Sequence, residues 1–250
     1  MEHLLEIDHL SYAYHTLQGE TPVLKEIQFS IKKGEFVAIV GPSGCGKSTL
    51  LSLICQLLTP DEGVIRLSPG KKIGYMLQKD HLLEWRDIRK NLALGPEIHH
   101  QLSNYHYLQI DTMLNNYGLV GFKHAKPDQL SGGMRQRAAL IRTLMLEPDL
   151  LLLDEPFSAL DYQTRLAVAD DIWTILHQEH KTALLITHDI SEAISMADRI
   201  LVLSARPATI CKELDIRLTC PGKRTPFASR SAPEFKDYFN LVWKELNHHE

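Results

Sequence analysis

No apolar run in this 250-residue chain is long enough to span a bilayer. The best of them, 150–153, ends at once in Asp154. The first residues, Met1-Glu2-His3-Leu4-Leu5-Glu6, lack the basic, apolar and small-residue succession of an export signal. No basic block offers a footprint for nucleic acid: charge is mixed along the chain, and the formal net charge is -4. The four cysteines, Cys45, Cys55, Cys211 and Cys220, stand at no metal-ligand spacing, so free thiols are expected. There is no internal repeat and no low-complexity tail. What these absences leave is a cytoplasmic globular protein. The 44% hydrophobic fraction suits one α/β domain with a full core, with room for a subdomain.

The stretch Gly41-Pro42-Ser43-Gly44-Cys45-Gly46-Lys47-Ser48-Thr49 organises the chain. It follows Phe36-Val37-Ala38-Ile39-Val40, an apolar, β-branched run that reads as a buried parallel strand. Residues 50–58 carry apolar side chains with no Gly or Pro, which reads as a helix. Strand, glycine loop and helix are the context a phosphate loop requires. Its N–H groups and the helix N-terminus point at an anion, Lys47 adds a mobile positive charge, and the Ser48 hydroxyl is a ligand for Mg²⁺. Cys45, inside the loop at a helix start beside Lys47, is expected to be an exposed thiol of lowered pKa, more reactive than a buried Cys55. The other reading of Cys45 is a small residue pointing into the protein.

Strands are expected at 4–14, 27–31, 64–67, 73–77, 150–153, 183–187 and 199–203, and helices at 162–180 and 233–246. Between 82 and 130 strand signals vanish, and an inserted helical subdomain is read there. Strands alternating with helices imply a parallel sheet with right-handed crossovers. The run Leu150-Leu151-Leu152-Leu153-Asp154-Glu155-Pro156 places two carboxylates at the end of a buried strand, where ligands bind in such sheets. Asp154 is suited to hold Mg²⁺ and Glu155 to polarise an attacking water. In Leu130-Ser131-Gly132-Gly133-Met134-Arg135-Gln136, Ser131 can cap a second helix whose N-terminus is left bare by two glycines. One nucleotide has no need of two such helices from one chain, so this one is expected to serve the nucleotide of another copy.

These motifs, with Gln78, Ser158-Ala159-Leu160-Asp161 and His188, come in an order that resembles the ATP-binding subunits of ABC transporters, over about residues 4 to 205. The resemblance implies a P-loop NTPase with a RecA-like parallel-sheet core, an N-terminal antiparallel β subdomain, and an inserted α-helical subdomain at about 82–145. One ABC-type ATP-binding domain would fill 1–250, with a short C-terminal extension from about 205. It implies ATP and Mg²⁺, with Tyr14 stacking on adenine (Tyr12 being the rival), residues 41–49 and Ser131, Gly132 and Gly133 binding nucleotide, and Ser48, Gln78 and Asp154 serving the metal. Glu155, His188 and Gln78 would be catalytic and Asp161 would sit at the dimer seam. The implied partners are a second, head-to-tail copy, membrane permease subunits at the cytoplasmic face and, indirectly, an extracytoplasmic solute-binding protein. Nucleic acid is not among them. His81-Leu82-Leu83-Glu84-Trp85, Asn91-Leu92-Ala93-Leu94-Gly95 and Leu203-Ser204-Ala205-Arg206-Pro207 are similar to importers of the nitrate/sulfonate/taurine type, which include thiamine-precursor importers; Glu84 and Thr143 depart from that pattern. Leu82, Leu83 and Trp85 either receive a helix of the membrane subunit or pack inside the helical subdomain. The rival reading is a soluble ATPase of the same class acting on nucleic acid or the ribosome. The transported solute is not written in the chain.

Overall fold

The protein is seen in a computed structural model that describes residues 3–17 and 19–248. Met1 and Glu2, part of the N-terminal stretch that lacks an export pattern, lie outside the described residues, as do Gln18, His249 and Glu250. Strands β1 (His3–Thr16), β2 (Gly19–Lys32) and β4 (Glu62–Leu67) form an antiparallel sheet in the order β2-β1-β4. A second sheet runs β5-β6-β7-β3-β8-β9, from β3 (Phe36–Val40), β5 (Ile73–Met76), β6 (Leu150–Asp154), β7 (Thr182–Ile186), β8 (Arg199–Leu203) and β9 (Ile210–Asp215). Its first five members are parallel, and β9 is antiparallel to β8.

The central strands β3, β6 and β7 are buried at every position because both faces are covered. Phe36, Ala38 and Val40 of β3 join one hydrophobic cluster, with Leu151 and Leu153 of β6. Val37 and Ile39 join the other, with Leu150 and Leu152. This is the period-2 alternation of a strand, with a core on each side instead of a core and water. The first cluster contains the apolar faces of α5 (Gly132–Leu144), α6 (Tyr162–Gln178) and α7 (Ile190–Met196). The second holds α1 (Lys47–Ile54) between the parallel sheet and the β1–β2 layer. Each buried Leu or Ile contributes about 1.5–3 kcal/mol relative to its exposed state.

Between β5 and β6 the chain is helical: α2 (Ile88–Leu92), α3 (Leu94–Ile98), α4 (Asn104–Asn116), two short 3₁₀ turns and α5. Two short helices escaped the sequence reading. Asp189 accepts from the N–H groups of Ser191 and Glu192 to start α7, and Thr225 accepts from Ala228 N to start α8 (Pro226–Ser229), with Pro226 at its first turn. The terminal helix α9 (Phe235–His248) returns to the first cluster through Val242 and Phe239. Among the described residues no helix is long and apolar enough to cross a membrane.

Candidate nucleotide site

The site forms where β3, β5, β6 and β7 end. After β3 the chain turns through 41–46 into α1. Gly46 has φ 120, and a Cβ there would lie 2.6 Å from Val23 Cγ1, so no other residue fits the turn without moving β2. Lys47 is only 6% exposed, and its Nζ donates to the carbonyls of Gly41 at 2.8 Å and Pro42 at 2.9 Å, which fixes the ammonium inside the loop.

Asp154, at the end of β6, draws in two hydroxyls. Ser48 Oγ donates to Oδ1 at 3.2 Å and Tyr75 OH to Oδ2 at 3.0 Å. Burial pushes the Asp154 carboxyl up, and the two hydroxyl bonds oppose that rise. The Tyr75 phenol is raised by its own burial and by the Asp154 carboxylate. Ser48 and Asp154 therefore present adjacent hard oxygen donors beside the loop, a donor set suited to Mg²⁺. Among the described residues no group of three His, Cys, Asp or Glu side chains makes a protein-only metal cage.

The next residue, Glu155, turns the strand out of the sheet in the left-handed region, at φ 43, with its N–H on the Ile186 carbonyl at 2.9 Å. For a non-glycine residue this backbone costs on the order of 1 kcal/mol. It brings two side chains, Gln78 and His188, onto one carboxylate oxygen. Gln78 Nε2 donates to Glu155 Oε2 at 3.3 Å and to Ser158 Oγ at 3.2 Å, while His188 Nδ1 faces the same Oε2 at 3.2 Å. Gln78, Glu155 and His188 are 77 and 33 positions apart in sequence and meet only because β5, β6 and β7 are parallel neighbours. Behind His188, Arg165 of α6 reaches the Leu160 carbonyl at 3.1 Å, Asp189 Oδ2 at 3.5 Å and Glu192 Oε1 at 3.8 Å. The segment 158–161 and the His188 turn are thus joined through one guanidinium, a link that sequence spacing does not reveal.

Tyr14 is 41% exposed and shares a 3.2 Å hydroxyl contact with Thr49 Oγ1. Tyr12 meets it edge-on, with ring centroids 5.1 Å apart, so Tyr14 is the ring nearer the loop. Ser131 caps α5, its Oγ accepting from Met134 N at 3.4 Å. A Cβ on Gly133 would lie 2.8 Å from Val168 on α6, so that glycine lets the two helices touch. Among the described residues no hydrogen bond or ion pair joins 131–133 to 41–49. Asp161 caps α6 through Thr164 N at 3.1 Å.

Two expectations are corrected. Cys45 is 2% exposed with its sulfur turned toward Gly41, and burial pushes its thiol up more than Lys47 pulls it down. It is an inward-facing small residue and not the activated, exposed thiol that a helix start alone suggests. Cys55, expected to be buried, is partly exposed, and burial of its sulfur raises it to about 11. The apolar trio after Gln78 divides: Leu82 is 5% exposed in the core, Leu83 is partly buried, and Trp85 is 73% exposed.

A glycine loop between strand and helix, a hydroxyl on its last turn and a buried carboxylate across from it define a P-loop nucleoside-triphosphatase fold. The family profile described as "ABC transporter" matches residues 24–158. The chain is 43% identical over 249 residues to the ABC transporter ATP-binding protein YtlC of Bacillus subtilis, covering 97% of this chain and 95% of that protein. It is 42% identical to the taurine import ATP-binding protein TauB of Yersinia pestis, covering 87% and 88%. It is 39% identical to the nitrate import ATP-binding protein NrtD of Synechocystis, covering 95% and 93%. A solved dimeric ATP-binding cassette in a post-hydrolysis state, bound to ADP and Pi, superposes with TM-score 0.72 at 28% identity, covering 85% of this chain and 99% of that one. The chain belongs to the ABC transporter family of ATP-binding proteins.

Proposed function

We propose that this chain is the ATP-hydrolysing subunit that energises import of a small solute through a membrane ABC transporter of the nitrate/sulfonate/taurine type. The observation that carries the reading is the shared carboxylate: Gln78 and His188 both meet Glu155 Oε2, next to the Ser48–Asp154 pair at the phosphate loop. Relatives that are import subunits support the transport role, and they give no support to the nucleic-acid or ribosome reading.

In this reading the N–H groups of 41–49 and Lys47 bind the phosphates, and Tyr14 stacks on adenine. Ser48, Asp154 and Gln78 would hold Mg²⁺, which would supply charge neutralisation. Glu155 accepts a hydrogen bond from water and orients it in line with the γ-phosphorus. His188 holds Glu155 and the γ-phosphate in register. Catalysis is then positioning plus charge stabilisation. Two chains pair head to tail, so that Ser131, Gly132 and Gly133 of each close on the nucleotide of the other. Each subunit sits at the cytoplasmic face of the membrane against permease subunits, with an extracytoplasmic binding protein delivering the solute. Glu155→Gln tests the core of this: the amide keeps shape and loses the charge that polarises water. Turnover is expected to fall at least about 100-fold with ATP binding retained. Near-wild-type turnover would overturn the role of Glu155.

A further inference from the structure

Arg206 stands in the segment between β8 and β9, in Leu203-Ser204-Ala205-Arg206-Pro207. The segment is tied down on both sides of it. Ala208 pairs with β2 through Ala208 N to Val23 O at 2.8 Å and Lys25 N to Ala208 O at 2.9 Å. Ser204 and Thr209 bond across its base, Ser204 N to Thr209 O at 3.0 Å and Thr209 N to Ser204 Oγ at 2.9 Å. From this fixed base the guanidinium reaches over the phosphate loop, and Nη2 donates to the Gly44 carbonyl at 2.5 Å. A cleft of about 260 Å³ is lined by Ser43, Lys47, Thr49, Glu155 and Arg206 among others.

Lys47 and Arg206 are the two cations on that cleft, and they are used differently. The Lys47 ammonium is held inside the loop by the Gly41 and Pro42 carbonyls. Arg206 is exposed, and among the described residues no carboxylate pairs with it. A guanidinium carries five N–H donors in a planar fork that matches phosphate oxygens, and the Gly44 carbonyl takes one side of it. Holding that carbonyl also fixes the turn whose N–H groups face the anion.

We propose that Arg206 is a further residue of the nucleotide site: it pins the Gly44 turn and presents its free donors to the phosphate chain at the outer rim of the loop. The inference rests on 41–49 being the phosphate site. Lys47 binds from within the loop and Arg206 from its rim, so the segment that marks this chain's similarity to one importer type also serves its nucleotide.

The test titrates fluorescent ATP and ADP analogues, with adenosine as competitor, into wild type, Arg206→Gln, Arg206→Lys and Lys47→Ala, each checked by thermal melting. Arg206→Gln is expected to weaken ATP binding about tenfold or more, the range of a charge-assisted hydrogen bond, and ADP less, with adenosine unchanged. KM should rise more than kcat falls, the salt dependence of ATP binding should flatten, and Arg206→Lys, which keeps the charge and loses the fork, should recover only part of the affinity. Binding by Arg206→Gln within about twofold of wild type, or equal losses for ATP and adenosine, would overturn the proposal. Should Arg206→Gln fail to fold, Arg206→Lys decides: a loss for ATP larger than that for adenosine supports the proposal, and ATP affinity within about twofold of wild type, or an equal loss for ATP and adenosine, overturns it. Wild-type affinity in Lys47→Ala would instead overturn the site itself, whereas a loss there without one in Arg206→Gln removes only the role of Arg206.

Discussion

Glu192 carries a buried carboxyl directly behind the His188 turn, and its protonation makes stability depend on pH. It is 3% exposed; Oε2 accepts from Thr187 Oγ1 at 2.6 Å, and Oε1 lies 3.8 Å from Arg165 Nε. Burial pushes it from 4.5 up to about 7; the Asp189 carboxylate adds to the rise, while the Thr187 bond, Arg165 and His188 oppose it. Because the folded protein holds this proton more tightly than the unfolded chain, the group's contribution is full below pH 4.5. It is lost as pH rises to about 7. At 1.36 kcal/mol for each tenfold in proton affinity, the rise amounts to about 3 kcal/mol. Glu192→Gln removes the titration and keeps an oxygen for Thr187. Urea unfolding followed by tryptophan emission should show wild type losing about 3 kcal/mol more than the variant between pH 4.5 and 8, or roughly 6–12 °C in Tm. Parallel stability curves for the two proteins across that window would refute the reasoning, because they would mean that the carboxyl ionises as readily in the fold as outside it.

Maleimide labelling of the native protein, mapped by mass spectrometry, should modify Cys45 more slowly than Cys55, Cys211 or Cys220, since only Cys45 is buried. Fast labelling of Cys45 that MgATP blocks would restore the activated-thiol reading. Tyr14→Ala should weaken binding of a fluorescent ATP analogue about tenfold, the worth of one base–aromatic stack, and Tyr12→Ala less. A larger loss from Tyr12→Ala would exchange the two roles. Lys47→Ala should lose nucleotide affinity by a larger factor than either tyrosine variant, read in the same titration.

The chain disclosed the parallel sheet because β3, β6 and β7 are apolar on both faces, and a run of four or five such residues between polar turns has few other structures open to it. It disclosed the phosphate loop because the glycines are fixed by spacing. What it hid is set by side-chain direction or by distant partners. The inward turn of Cys45 follows from the loop's own dihedrals, which periodicity does not report. Arg206 meets Gly44 across 162 positions, and Arg165 meets Glu192 across 27, with nothing in either local pattern to announce the contact. The strand β9 is Ile210-Cys211-Lys212-Glu213-Leu214-Asp215, an edge strand too polar to read as one. Helix α7 is seven residues long, below the length at which a helical period shows, although Asp189 with Glu192 three residues on marks its start.

In the proposed function a working site is shared between two copies, one giving the phosphate loop and the other giving Ser131. Sedimentation of Glu155→Gln with ATP, beside Glu155→Gln carrying Ser131→Arg as well, tests it most directly. The single variant should sediment as a dimer only when ATP is present. The double variant should bind ATP and remain a monomer, because an arginine at 131 brings bulk to the place where the partner's γ-phosphate docks. A double variant that dimerises with ATP as readily as the single one would contradict the shared site.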